Sequence, residues 1–297
     1  MNPPEASGLR PLKLTMRKPC ARGYHVHMAG GVAAKAARNA ERSRPLRFLA
    51  RAGYVVSGLL HGVIGAIAIS VAVGAGGGEA DQSGALANLA AAPGGIALLW
   101  VMVVGLAALG LWEIIQIFVV IGPDPKRKWA HRIGVFSKAV AYLTIAAITF
   151  TFASGGSTSS ASSTKDFSAK LLAAPGGVIV LVVVGLGVFG IGGYFGFKGA
   201  AKKFTDDITV PSGTAGGVVT ALGVVGYIAK GVALCVVGVL FVIAAATFDP
   251  SKATGLDGAL KSLAALPFGA VILTVVGIGL IAYGVYSCAR ARLARLS

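Results

Sequence analysis

Three long hydrophobic stretches with the same internal pattern recur along the chain. They read LAAAPGGIALLWVMVVGLAALGLW from Leu89, LLAAPGGVIVLVVVGLGVFGIGGY from Leu171 and LAALPFGAVILTVVGIGLIAYGVY from Leu263. The stretches align without gaps on their prolines, and each has glycines 12 and 17 residues after its proline. A pattern that returns at a fixed interval predicts a protein built from internal repeats.

A second hydrophobic stretch precedes each of these segments. It begins at Gly53, Gly134 and Gly226, and small residues follow at matching positions in all three copies. In the first copy the spacing places Tyr54, Gly58, His61 and Gly65 on one face of a helix. Small residues on one face let two helices approach closely in a membrane. We therefore expect a packing role for ten glycines, which are Gly58, Gly65, Gly105, Gly110, Gly187, Gly192, Gly231, Gly238, Gly279 and Gly284.

Each repeat is predicted to be a helical hairpin with two transmembrane helices. The predicted fold is an all-α integral membrane protein, with six transmembrane helices in three parallel tandem hairpin repeats. The repeats cover residues 48–121, 131–200 and 218–290. The spans lie roughly at 50–74, 93–120, 133–154, 174–197, 221–247 and 267–289. Within each hairpin the loop ends in a short Leu/Ala-rich segment, which we expect to form an interfacial helix, and the proline falls in the first turn of the next helix.

Composition supports the membrane class. Hydrophobic residues make up 55% of the 297 residues and charged residues only 13%, whereas a soluble domain has roughly 25% charged residues. Uncharged runs such as 52–78, 171–197 and 263–289 are longer than the roughly 20 apolar residues that span a bilayer as a helix.

The distribution of basic residues predicts the orientation. The termini and the connections between repeats carry 21 Lys and Arg residues, and the three loops within the hairpins carry four. The positive-inside rule therefore places both termini in the cytosol of a plasma-membrane protein. The net charge of +16 indicates anionic lipid headgroups on the cytosolic side as partners rather than nucleic acid. Residues 1–47 are predicted to be a largely disordered basic cytosolic tail, and Met28 leaves open whether residues 1–27 belong to the protein.

These combined features resemble an actinobacterial membrane family catalogued as domain of unknown function number 1206. The Gly-Tyr start, the Pro-Gly-Gly or Pro-Phe-Gly turn and the second helix rich in glycine and aromatic residues carry the resemblance over roughly residues 45–290. It implies three tandem two-helix repeats. It implies no activity, because none is established for the family.

Four ionisable residues inside the predicted spans are binding candidates. Glu113 is the only acid there, and an intramembrane carboxylate is a functional candidate because its unpaired burial is costly. Lys138 and Lys230 occupy matching positions, where repeat one has Ser57. They can snorkel to the interface or contact lipid phosphate, or they can form an anion site or pair with Glu113. His61 lies deep in the first helix, as a hydrogen-bonded packing residue or a proton relay.

Other motifs carry no chemistry. The run Gly185-Leu186-Gly187-Val188-Phe189-Gly190 matches G-x-G-x-x-G but lies inside an apolar helix, where the dinucleotide fingerprint has no strand before it. Three scattered cysteines and four scattered histidines indicate no metal site, and we expect no cofactor.

The sequence predicts a non-enzymatic membrane protein with a structural, lipid-associated or partner-binding role, in which a membrane-protein partner is one option. The alternative is a small-solute or lipid transporter or channel with a site on the pseudo-threefold axis.

Overall fold

The computed structural model describes residues 44–76, 78–119 and 125–294, and these residues are helical apart from loops, turns and one isolated bridge. Side chains are described outside 44–47, 49–50, 112, 115–134 and 138. Most of the predicted tail, 1–43, therefore lies outside the described residues.

The described residues form six long helices and three short ones. Each repeat has a long helix, a short helix and a second long helix, as the sequence pattern predicts. The long helices are α1 (Arg44–Ala72), α3 (Gly95–Val119), α4 (Pro125–Ala153), α6 (Gly177–Ala200), α7 (Thr214–Thr247) and α9 (Gly269–Leu293). The short helices are α2 (Gln82–Ala91), α5 (Ser160–Ala173) and α8 (Gly255–Ala264). Among the described residues, five of the long helices are long and apolar enough to cross a membrane, and α3 is apolar over Gly95–Leu111. The all-helical membrane class agrees with the sequence analysis, whereas the count of six crossings stays a prediction.

The turn between each short helix and the following long helix differs from the prediction. The prolines lie two residues before the helices, which begin at Gly95, Gly177 and Gly269. A Cβ at Gly95 or Gly177 would lie 1.7 or 1.6 Å from a carbonyl oxygen of the short helix before it. Only glycine fits such an approach. The last glycine of the Pro-Gly-Gly motif is thus explained by this close turn rather than by the interior of a helix.

The most extensive helix interfaces join neighbouring repeats. The second long helix of one repeat packs against the first long helix of the next, which pairs α3 with α4 and α6 with α7, and α9 of repeat three packs against α1 of repeat one. The prediction that each repeat is a helical hairpin is not confirmed, because within a repeat only α7 and α9 share a comparable interface. Packing therefore follows a cyclic order in which each repeat completes its neighbour.

Glycines allow these close contacts. A Cβ at Gly58 would lie 2.6 Å from the Gly284 carbonyl oxygen, and one at Gly65 would lie 2.5 Å from that of Gly277. At the α6–α7 interface a Cβ at Gly192 would lie 2.8 Å from the Gly231 carbonyl oxygen. The contacts in both pairs run in opposite chain directions, so the paired helices are antiparallel.

The remaining predicted packing glycines have different surroundings. Gly238 packs on Gly185 and Phe189 of α6, Gly279 on Ala229 of α7, and Gly110 on Leu143 of α4. Gly105 is half-buried. Gly187 differs from its prediction, because it is exposed and nothing lies within 4 Å of a Cβ built there.

A continuous apolar cluster joins helices of all three repeats. It contains the buried residues Leu60, Ile64, Leu86, Leu99, Met102, Phe152, Leu260, Leu273 and Leu280. The bundle has two distinct ends. At the terminal end α1 begins and α9 ends, and at the short-helix end α2, α5 and α8 connect the long helices.

Candidate functional site

Aromatic and charged side chains concentrate at the terminal end of α6, α7 and α9. A 3-10 turn, Lys203–Asp207, follows α6 and is held to the end of α9 by a hydrogen bond from the Thr209 N–H to the Leu293 carbonyl oxygen (2.8 Å). We call this group the terminal-end cluster, which consists of Phe195, Lys198, Phe204, Asp207, Tyr227, Lys230, Tyr283, Tyr286 and Arg290, with Tyr54 and His61 from α1.

Buried rings form the centre of the cluster. The Phe204 ring stacks on Tyr227 and meets Tyr286 edge-on, with centroid distances of 5.3 Å in both cases. Gly223 makes room for it, since a Cβ there would lie 2.3 Å from the Phe204 ring. Tyr227 also meets Tyr283 edge-on at 5.3 Å. Such offset and edge-on pairs stabilise an aromatic core beyond the burial of area.

One carboxylate is shared by two cations. Asp207 Oδ2 lies 2.6 Å from Lys198 Nζ and 3.3 Å from Arg290 Nη2. Arg290 Nη1 also donates to the Tyr227 hydroxyl at 3.1 Å. The side chains of Lys198 and Arg290 are only 15% and 19% exposed, so both cations are largely removed from water.

The two cations occupy the same position in their repeats, 23 residues after Pro175 and Pro267. Each lies over the tyrosine that opens the neighbouring repeat. Arg290 is 4.7 Å from the Tyr54 ring centroid, and Lys198 Nζ is 5.7 Å from that of Tyr227. The third copy has lost both partners, because the corresponding residues are Gln116 and Val135. A cation over a ring is therefore a feature of two of the three interfaces between repeats.

Lys230 has a different environment from the other two cations. Its Nζ lies 4.4 Å from the Tyr283 ring centroid and 5.2 Å from that of Phe195, and it is 3.4 Å from the Tyr283 hydroxyl. Among the described residues no carboxylate lies within 4.0 Å of it. Lys230 is thus a half-buried cation that is held by two aromatic rings and has no counter-ion in the described part of the chain.

His61 is the second sequence candidate that belongs to this group. Its ring lies 4.7 Å from that of Tyr283, and Nδ1 is 2.7 Å from the Ser57 carbonyl oxygen. This bond to its own helix agrees with a packing role. The structure therefore brings His61 and Lys230 together around Tyr283.

The other two sequence candidates are Glu113 and Lys138. Glu113 is half-buried in α3, and no ion pair to it occurs in the described ranges. The side chain of Lys138 lies outside the described residues. No group of three His, Cys, Asp or Glu side chains that could hold a metal ion is found within the described chain.

Sequence reasoning missed Asp207, Arg290 and Lys198 as site residues. Lys198 and Arg290 count there only as basic residues that determine orientation, and Asp207 is not considered. Their recurrence was available as a signal, because Lys198 and Arg290 align in the repeats just as the glycines do. Asp207 has no counterpart in the repeated pattern, and the 3-10 turn places it next to Lys198 and Arg290.

The fold and its repeated interfaces define a multi-pass membrane protein assembled from three tandem copies of one unit. Comparison with known proteins gives the same division of the chain. Residues 52–118, 133–202 and 225–294 match the family described as Domain of Unknown Function (DUF1206). The chain belongs to this family.

A relative and the solved structures complete the comparison. The chain is similar to "Uncharacterized protein YxxB" of Bacillus subtilis (strain 168), with 32% identity over 252 residues that cover 80% of this chain and 87% of the relative. No solved structure matches the chain.

Proposed function

We propose that this chain is a non-enzymatic plasma-membrane protein whose terminal-end cluster lies on the cytosolic side and binds the anionic headgroup of a lipid. The carrying observation is Lys230, a half-buried ammonium group between two aromatic rings with no counter-ion among the described residues. A cation in such surroundings is costly unless an anion pairs with it. A lipid phosphate supplies that anion, because a lysine within a membrane helix can extend its stem toward the headgroups.

The charge of the cluster supports this assignment. The cluster contains three cations, Lys198, Lys230 and Arg290, and one carboxylate, Asp207, which pairs with Lys198 and Arg290, so the group has a net positive charge.

The proposed orientation follows the distribution of charge. The terminal end carries most Lys and Arg residues of the sequence, as is typical of the cytosolic side. Anionic lipids in the cytosolic leaflet attract basic residues near the surface by about 1 kcal/mol each. The cluster would then fix one lipid while the remaining basic residues attract the surface in general.

The transporter alternative receives less support. A transport site on the pseudo-threefold axis needs polar groups from several repeats around an open space. The described cluster of Leu60, Ile64, Leu99, Leu273 and Leu280 instead fills the region between repeats with apolar side chains. The proposal therefore assigns the protein a structural, lipid-associated role, in which a partner protein can join at the same surface.

The test compares stabilisation of the full chain by lipid. The protein is placed in nanodiscs of phosphatidylcholine with or without phosphatidylglycerol, and thermal unfolding is followed. A ligand that binds only the folded state raises the midpoint. We expect phosphatidylglycerol to raise the midpoint of the wild type, and Lys230→Met, which keeps the apolar stem, to lose most of that increase.

The control is Lys252→Met at the short-helix end, which removes an exposed lysine and should keep the increase. Inorganic phosphate added to phosphatidylcholine nanodiscs separates a lipid from a free anion, and only the lipid is expected to act. Equal stabilisation of both variants would refute the site.

A further inference from the structure

The loops of the first two repeats are joined at the short-helix end by a set of polar side chains. We call it the loop latch, and it consists of Glu79, Asp81 and Ser83 from repeat one and Ser159 and Ser160 from repeat two. Glu79 accepts a hydrogen bond from the Ser159 hydroxyl, and the Ser160 N–H donates to Ser83 Oγ at 2.9 Å. The latch lies at the opposite end from the terminal-end cluster, and its chemistry is independent of lipid binding there.

Asp81 is an unusual carboxylate within this set. Its Oδ1 caps α2 by accepting from the N–H groups of Ser83 and Gly84, at 2.9 and 3.2 Å. The residue is only 2% exposed, and its Oδ2 is buried without a partner. Burial raises the pKa of Asp81, although the hydrogen bonds from Ser83 and Gly84 act in the opposite direction. A buried, partly unpaired carboxylate indicates that a positive ion belongs nearby.

The number of hydrogen atoms available around Ser83 indicates that this positive ion is a proton. Ser83 Oγ lies 2.6 Å from Asp81 Oδ1 and 2.7 Å from Glu79 Oε2, and both are hydrogen-bond distances. A serine hydroxyl has one hydrogen and can donate to only one of the two oxygens. If both acids were ionised, the other oxygen–oxygen contact would contain no hydrogen at all. One additional proton completes the set.

We propose that the loop latch is a proton-binding site in which Glu79 holds the proton and donates it to Ser83 Oγ, while the Ser83 hydroxyl donates to Asp81. Asp81 Oδ1 already accepts two N–H groups and suits the ionised form, whereas Glu79 Oε1 accepts from Ser159 and leaves Oε2 to carry the proton. Ser83 Oγ then accepts from Glu79 and Ser160 and donates once, which uses its full capacity. When the proton leaves to water, two carboxylates contact one hydroxyl and the latch opens.

The charges that surround the latch do not replace this proton. Asp257 of α8 accepts from the Ala80 N–H at 2.8 Å, but it is already paired with Lys261 at 2.8 Å. The charged residues of α5, which are Lys165, Asp166 and Lys170, form no ion pair with the latch in the part of the chain that the structure describes. Glu79 and Asp81 are the only charged residues between 52 and 112.

The sign of the pH effect follows from linkage. A carboxyl group that is favoured in its protonated form by the folded state stabilises that state at acidic pH, and this contribution is lost as pH rises through the folded-state value. The latch is therefore closed while it holds the proton and opens as pH rises and the proton is lost. Opening separates the loop of repeat one from that of repeat two.

The experiment measures amide hydrogen exchange of the full chain in nanodiscs across a range of pH. Protection factors of residues 78–84 and 158–164 are corrected for the intrinsic pH dependence of exchange. Release of one proton on opening predicts a fall of about tenfold per pH unit over the pH range in which the closed latch holds the proton and the open latch does not. Glu79→Gln keeps a donor and an acceptor in place of the neutral carboxyl group, so its protection should be independent of pH.

Asp249→Asn is the matched control, because Asp249 is an acid of the third loop that bonds to Ser251 outside the latch. It should keep the wild-type slope. A wild-type protection that is independent of pH, or an equal slope in Glu79→Gln, would overturn the proposal. Protection that requires calcium at constant pH, and is lost in chelator without a pH slope, would also overturn it by assigning a metal. If Glu79→Gln fails to fold, the wild-type slope together with the infrared band of a protonated carboxyl group decides.

Discussion

At the scale of single residues, Asp207 is the point on which the terminal-end cluster depends. It is the acceptor that Lys198 and Arg290 share, and both cations are more buried than Asp207 itself. Surface ion pairs contribute little, but removal of the partner of a buried cation leaves that cation unpaired. Replacement of Asp207 should therefore destabilise the protein more than replacement of an ordinary loop acid.

Asp207→Asn is expected to lower the free energy of unfolding by about 1–3 kcal/mol, which corresponds to the loss of hydrogen bonds to charged groups. Thermal unfolding in phosphatidylcholine nanodiscs measures this loss. Asp206→Asn is the control, because Asp206 is the exposed acid next to it in the same 3-10 turn. Equal unfolding midpoints for the two variants would contradict the role of Asp207.

Candidate site residues could be predicted from the sequence only where their burial could also be predicted. Lys230 and His61 stand out because they interrupt apolar helices, and the structure places both beside Tyr283. Asp207 and Glu79 lie in polar loops, where an acid is ordinary. Their roles depend on which loops meet, and this is a property of tertiary structure that a single sequence does not carry.

At the scale of helices, the importance of a glycine for packing depends on which atoms of the neighbouring helix face it. Gly187 and Gly192 both belong to the repeated pattern of α6, yet a Cβ at Gly192 would lie 2.7 Å from the Cys235 backbone nitrogen, whereas one at Gly187 meets nothing within 4 Å. The pattern predicted the helix and its small residues correctly. It could not say which face meets a neighbour, because glycines 12 and 17 residues after the proline point in different directions on a helix.

Gly192→Ala should therefore destabilise the α6–α7 pair by about 1–3 kcal/mol, the range for overpacked interiors, because the backbone of α7 must move. Gly187→Ala adds the same methyl group to the same helix and should leave stability unchanged or slightly raised, since alanine favours helix more than glycine. Unfolding of both variants in one detergent measures the difference. Equal losses would show that helix propensity rather than contact governs this helix.

At the scale of the whole molecule, covalent order and packing order are different. The sequence predicts units of two helices because the pattern repeats in that way, but the principal partner of each helix lies in the neighbouring repeat. The small-residue faces make this possible, since Gly58 and Gly65 of α1 meet Gly284 and Gly277 of α9 at the two ends of the chain. A repeat in the sequence thus predicts the number of units but does not predict which helices of different units pack together.

The same packing bears on the number of membrane crossings, and in particular on α3. Its 25 residues exceed the roughly 20 that span a bilayer, although Glu113 and Gln116 lie in its second half. The Trp100 ring meets Phe150 of α4 edge-on at 5.7 Å, and a Cβ at Gly110 would lie 2.7 Å from Leu143. These contacts run antiparallel along both helices, so we expect α3 to cross the membrane together with α4.

We therefore expect six crossings, with the terminal end on one side and the short-helix end on the other. The measurement is labelling of single cysteines by a membrane-impermeant thiol reagent in intact cells, after the three native cysteines are replaced by alanine. Ser157→Cys in the loop before α5 should react from outside, and Lys202→Cys after α6 should react only after lysis, since both positions are exposed and lie at opposite ends. Gly78→Cys decides the status of α3, because its loop shares a side with Ser157 only if the chain between them crosses an even number of times. Outside labelling at only one of these two loop positions would mean that α3 remains on one side and that the chain crosses five times.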